Sequence, residues 1–237
     1  MNIEVCINRL EDLVLVQDLA IDRLELCIEL GCGGLTPSLH TIEKAVELSK
    51  IPLHVLVRPR SGNFVYSAET LDILLQDCKT IQTLGAAGIV TGALTPMGTL
   101  PVVFLEKLRD SLSNSTLYFH RAFDDIKVPE KALEELISIG FDGLLSSGQH
   151  PTALGGIEQL KQWKEAVEGK LVVMPGSGIN ANNVSHFQKA GFAWVHLSAK
   201  QLLSSPSPSL FSSPQYGVNI SALQEFIAAV KDIERNL

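Results

Sequence analysis

The sequence predicts a TIM (β/α)8 barrel in a single domain over residues 1–237, and three observations carry that expectation. Short β-branched runs alternate with longer segments of helical period along the chain, the pattern of a parallel sheet covered by helices. The strand-helix units number eight within 237 residues, which is the count and length of such a barrel. Composition agrees: 46% of the residues are hydrophobic and 19% charged, enough for one large core and too apolar for disorder.

The strands are expected at Ile3–Cys6, Arg23–Cys27, Leu53–Arg58, Gly88–Thr91, Thr116–His120, Gly143–Ser146, Leu171–Met174 and Trp194–Ser198. Helices are read from apolar residues three and four apart, as in Leu71, Leu74, Leu75, Cys78, Ile81 and Leu84. A second stripe near the C-terminus runs through Ile220, Leu223, Phe226, Ile227 and Val230. Asn8 with Glu11, and Ser67, fit N-cap positions. Pro101 and Pro129 suit first turns, and Gly85, Gly140 and Gly191 suit C-terminal stops. The rhythm breaks once, in the Ser/Pro-rich stretch at about 204–216 between the eighth strand and the last helix. It reads as a loop excursion, because Pro removes donors and Ser competes with the backbone for hydrogen bonds.

Charge and termini bound the partners. The formal charge of −7 leaves no basic stripe to displace counterions, which argues against nucleic acid and favours a small ligand. No basic segment leads into an apolar run at the N-terminus, and no stretch approaches the roughly 20 apolar residues of a membrane span. The expected location is the cytoplasm, with no membrane partner. Four cysteines, Cys6, Cys27, Cys32 and Cys78, are too few for a disulfide framework in a chain of this length, and the cytoplasm keeps them reduced.

The tripeptide Glu-x-Cys occurs twice, at Glu4-Val5-Cys6 and Glu25-Leu26-Cys27, each time at the end of a predicted strand. Neighbouring parallel strands lie about 4.8 Å apart, so the repeat sets two thiols and two carboxylates side by side, a candidate soft-metal or acid/base site. Parity puts Glu4, Cys6, Glu25, Cys27, His54, Leu56, Arg58, Tyr118, His120, His196 and Ser198 inside the barrel. The C-terminal ends of the strands, where this fold builds its sites, are therefore strongly polar.

Two functional readings follow. In one, Cys6 and Cys27 hold a soft metal. In the other, Glu4 or Glu25 is a general acid/base, His120 a proton shuttle, and Arg58, Arg60 and Arg121 anchor an anion. Gly176, Ser177 and Gly178 would then cradle a phosphate on backbone N–H groups. That arrangement suits a small anionic or phosphorylated substrate undergoing isomerisation, lysis or hydrolysis. No lysine sits at an inward strand end, which argues against a Schiff-base aldolase. Each residue also has a plainer role: Cys6 and Cys27 as core thiols, and Glu4 and Glu25 as partners that neutralise Arg58 and Arg60. Cys32 and Cys78 read as structural.

Together, Glu-Val-Cys at 4–6, Asp-Arg-Leu-Glu-Leu-Cys at 22–27, Gly-Gly-Leu-Thr-Pro-Ser at 33–38, Arg-Pro-Arg at 58–60, Phe-His-Arg-Ala-Phe-Asp at 119–124 and Pro-Gly-Ser-Gly-Ile at 175–179 resemble the CutC family of copper-homeostasis proteins. The resemblance runs in order from residue 3 to about 199. It implies a cytosolic TIM barrel that forms oligomers, with Cu(I) as ligand on Cys6 and Cys27; it implies no reaction. Departures are Asn63 and Cys32 at positions where the family often carries acidic residues, and the divergent Ser/Pro-rich stretch. A homodimer is expected, with the segment around Leu210-Phe211 offering apolar side chains for the contact.

Overall fold

The structure is a computed structural model, and it describes residues 1–112, 115–204 and 214–235. Its elements run β1 (Asn2–Ile7), α1 (Leu10–Val16), β2 (Arg23–Leu26), α2 (Leu39–Leu48), β3 (Leu53–Val57), α3 (Ala68–Thr83), β4 (Gly88–Thr91) and α4 (Val102–Ser111). They continue with β5 (Thr116–Phe119), α5 (Pro129–Ile139), β6 (Gly143–Ser146), α6 (Ile157–Ala166), β7 (Val172–Pro175), α7 (Val184–Lys189) and β8 (Trp194–Leu197). A hairpin of β9 (Lys200–Ser204) and β10 (Gln215–Val218) and the helix α8 (Ile220–Arg235) complete the chain. Strands β1 to β8 form one parallel sheet in the order β7-β6-β5-β4-β3-β2-β1-β8, and a Gly176–His196 bridge joins its two edges. The eight-unit TIM barrel read from the sequence is the architecture observed.

Strands buried on both faces explain why the sequence shows apolar runs. Outward residues such as Val5, Leu24, Leu26, Val55, Val57 and Ile89 meet the helices in one continuous core. Inward residues make a second, smaller cluster of Cys6, Cys27, Leu56, Val90, Tyr118, Leu145 and Met174. Large rings fit inside because glycine stands beside them. A Cβ on Gly88 would lie 2.3 Å from His54, and one on Gly143 would lie 2.3 Å from the Tyr118 ring. Cys27, Arg58 and His120 each follow directly on a strand, so the chain leaves the barrel there while their side chains still face its mouth.

Several helix ends behave as the sequence suggests. Ser67 accepts from the Thr70 N–H, Pro129 opens α5, and Gly85, Gly140 and Gly191 adopt φ of +95°, +92° and +72° at helix ends. Two details differ. Asn8 does not cap α1: the N-cap is Arg9, without a side-chain bond, because the Asn8 amide donates to the Tyr216 carbonyl instead. Pro101 occupies the N-cap of α4 rather than its first turn.

Of the stretch at about 204–216 read as a loop, 205–213 lie outside the described residues. On either side of them β9 and β10 pair antiparallel, with Gln215 opposite Ser204, Tyr216 opposite Leu202 and Val218 opposite Lys200. The hairpin is tied to the barrel by the Val218 N–H, which donates to Asp12 Oδ1 at 3.3 Å, and by the Asn219 N–H, which donates to the Ala199 carbonyl at 2.7 Å. Leu210-Phe211, the expected dimer segment, lies outside the described residues. Among the described residues no helix is long and apolar enough to cross a membrane.

Candidate ligand site at the barrel mouth

Two polar tiers stack inside the barrel. In the lower one Arg23, at the start of β2, enters the core and lies between the Tyr118 and Trp194 rings, 4.4 and 4.1 Å from their centroids. Its Nε donates to Glu4 Oε2 at 2.5 Å, and Glu4 Oε1 meets His196 Nδ1 at 2.7 Å. Burial opposes ionisation of Glu4, but the His196 hydrogen bond and the Arg23 charge outweigh it and hold the carboxyl down at about 2. Burial works against a charged His196 too. The Glu25 charge, with hydrogen bonds to Cys6 and Glu4, nevertheless raises it well above the ordinary histidine value. His54 is the neutral member, pushed down to about 4 by burial although Glu4 pulls the other way.

The upper tier opens on a cavity of about 450 Å³ at the C-terminal end of the strands. Cys6 and Cys27 face each other with Sγ atoms 3.4 Å apart, both buried. The bond to Cys27 and then burial push the Cys6 thiol well up, so Cys6 holds its proton at rest. Glu25 also faces the cavity. One of its oxygens, Oε2, has no hydrogen-bond partner, and burial raises the group to about 7 despite the nearby His196 charge. Among the described residues, the side chains grouped as metal donors are Cys6, Glu25 and His196, whose ligand atoms lie within 4.8 Å of one another.

The remaining predicted residues divide. Glu4 lies beneath the cavity with both oxygens engaged. Arg58 is on the cavity wall, but its guanidinium donates to the carbonyls of Cys32, Gly34 and Gly62 at 2.8–3.0 Å. Those bonds brace the loops after β2 and β3. Arg60 turns to its own loop, donating to Ser61, Asn63 and Val65 and stacking on Tyr66, and it does not line the cavity. Neither arginine neutralises Glu4, whose partner is Arg23.

Arg121 reaches the cavity while bonded to Asp124 and Ser147. The Gly176 N–H is spent on the Ser146 carbonyl, extending the β6–β7 pairing, whereas Ser177 and Gly178 border the cavity. His120 borders it too, with its ring against Phe64 at 4.8 Å between centroids; burial, then the Arg58 charge, lower it to about 3. It stays neutral and accepts the Ala122 N–H on Nδ1. Arg23 and the Glu4–His196 link escaped the sequence reading. Arg23 nevertheless shares the parity of Glu25 two residues later, which is the signal that marks it as inward.

Residues 1–201 match the model of the CutC family. The chain belongs to the CutC family. A CutC relative from Glaesserella parasuis is 40% identical over 201 residues, covering 84% of this chain and 83% of its own. A CutC protein of Bacteroides fragilis is 35% identical over 235 residues, 98% of this chain and 94% of the relative. A solved CutC structure from Streptococcus agalactiae, described there as a candidate copper homeostasis protein, superposes with a TM-score of 0.78 at 30% identity. It covers 83% of this chain and 97% of that one. The CutC match takes in all eight barrel strands and both Glu-x-Cys tripeptides; β10 and α8 lie beyond it.

Proposed function

We propose that this CutC-family protein binds Cu(I) in the cytoplasm through Cys6 and Cys27, as a copper-handling protein. The observation that carries the reading is the thiol pair itself: two buried, reduced cysteines 3.4 Å apart, facing a cavity rather than filling a core gap. Thiolate is the donor that selects Cu(I) over harder cations. The copper-homeostasis description of the Streptococcus agalactiae protein points the same way.

The donor set fits the ion: Cys6 and Cys27 would hold it on two sulfurs, and Glu25 and His196 would be further donors near Cys6. The protein's part is to give up protons. Because the Cys6 thiol is pushed up, binding releases protons and apparent affinity rises with pH.

The test is an anaerobic titration of reduced protein with Cu(I) against a competing chelator, repeated with the Cys6→Ser/Cys27→Ser variant. The expected outcome is a single tight site that the double variant loses by at least about a hundredfold; unchanged affinity in that variant removes the proposal. Sedimentation of the same samples reads the accompanying homodimer, which persists without copper. A species near the 25.7 kDa chain mass in both conditions would refute it.

A further inference from the structure

We infer that the outer part of the cavity is a binding site for a small organic anion, a carboxylate or phosphate ester, whose charged end rests against Arg58 and the Nε2–H of His120. Neither observation behind this depends on Cu(I), and the site lies beyond the thiols.

Arg58 is 6% exposed, yet among the described residues no carboxylate pairs with it. Its three carbonyl partners satisfy hydrogen bonds without cancelling the charge. An unpaired buried cation is costly, and the compensation a fold ordinarily supplies is a counter-ion. Here the guanidinium borders a cavity instead.

His120 supplies the second, independent observation. Since Nδ1 accepts the Ala122 N–H at 3.2 Å, the ring proton of the neutral histidine sits on Nε2. That nitrogen is buried and has no partner. The ring is held in place, with Phe64 on one side and Gly92 behind it, where a Cβ would approach to 2.8 Å. A fixed donor with nothing to donate to, beside a cation that has the Phe64 face 5.0 Å away but no counter-ion, is a seat for an oxyanion.

The rest of the cavity agrees with an organic body attached to that charge. About 450 Å³ is the size of a small-molecule site and far exceeds what one ion needs. Leu30, Leu56, Phe64, Leu145 and Ile179 give it apolar walls. Lys200 also borders it, as does Arg121 in its pair with Asp124, and among the described residues Glu25 is the lining carboxylate. The seat is formed by the loops after β3 and β5, whereas the Gly176–Gly178 turn has already spent the Gly176 N–H on the sheet.

The test uses reduced, metal-free protein and three probes: inorganic phosphate, glycerol 3-phosphate and butyrate. Calorimetry is expected to find one saturable site per chain for at least one probe, and the preferred probe tells phosphate ester from carboxylate. His120→Phe and Arg58→Lys, each checked for a native circular dichroism spectrum, should weaken that probe by about tenfold or more while leaving Cu(I) affinity unchanged. Cys6→Ser/Cys27→Ser should do the reverse. In the unmutated protein, ¹⁵N spectra of the histidines should show His120 as the Nε2–H tautomer, its signal moving as the anion is added. No saturable binding by any probe, or native binding in both the His120 and the Arg58 variants, overturns the proposal.

Discussion

The two polar tiers of the barrel are both largely buried and differ in closure. In the lower tier Glu4, Arg23 and His196 bond one another, with the Tyr118 and Trp194 rings against the guanidinium, and of this tier His54 Nδ1 alone stands without a hydrogen-bond partner. In the upper tier Glu25 Oε2 and His120 Nε2 stand without partners, and Arg58 stands without a counter-ion. Burial alone therefore does not single out a functional group in this barrel. Incomplete pairing beside a cavity does, since Trp163 Nε1 and Asp12 Oδ2 are also buried without partners but lie away from it.

The largest effect that can break this comparison is expected at Arg23. Arg23→Ala strips Glu4 of its buried counter-charge and should cost about 3–5 kcal/mol in urea denaturation, close to the whole stability of many domains. A cost below about 1 kcal/mol would mean that the lower tier is not held by its pairing.

Next in size is the dependence of stability on pH, in which each tier holds groups of both signs. Glu4 is depressed to about 2, so its contribution is present above about 4.5 and lost as pH falls towards 2. Glu25 is raised to about 7, so its contribution is present below about 4.5 and lost as pH rises through 7. His196 is raised as well, and its share is lost at still higher pH. His54 and His120 are depressed to about 4 and about 3, so their contributions are present above about 6.5 and lost as pH falls. Between about 4.5 and 6.5 these two outweigh Glu25, and stability should peak at about pH 6. In Glu25→Gln the rise over that interval should steepen, and in Glu4→Gln the acid limb should flatten. Urea midpoints across pH 3–9 read all three profiles, and an unchanged slope in Glu25→Gln would mean that Glu25 does not titrate there.

The sequence carried the barrel and the upper tier further than the lower. Strand alternation and apolar parity located Cys6, Cys27, Glu25 and His120 at the mouth, because period-two order within a strand survives into the structure. The same parity contains Arg23, but a lone arginine opening a strand looks like a surface charge until Tyr118 and Trp194, from distant strands, are seen to enclose it. Arg58 and Arg60 show the converse limit. They share a tripeptide, yet the chain turns between them, sending one to the cavity wall and the other to its own loop carbonyls. Hairpin β9–β10 was hidden for a similar reason: Ser/Pro composition dominated the segment, and the pairing joins its two flanks across the intervening residues.

The smallest expected effect distinguishes the mouth from the outer surface through the cysteines themselves. Cys6, Cys27 and Cys78 are buried, whereas Cys32 is exposed and donates only to the Glu29 carbonyl at 3.2 Å. Cys6 and Cys78 are further protected by thiol pKa values raised above the ordinary range, by the bond to Cys27 in the first case and by burial in the second. Since the thiolate is the reacting species, brief treatment of native reduced protein with iodoacetamide at pH 7.5 should label one site per chain, mapped by mass spectrometry to Cys32. Full labelling of all four should require denaturant. Cys32→Ser should remove that first label, leave the urea midpoint where it is and leave Cu(I) affinity within about twofold, because Cys32 does not line the cavity. Labelling of Cys6 or Cys27 ahead of Cys32 would instead mean that the mouth opens to reagents more readily than the outer loop, and the thiol pair would then belong with the reactive surface rather than with a guarded ligand site.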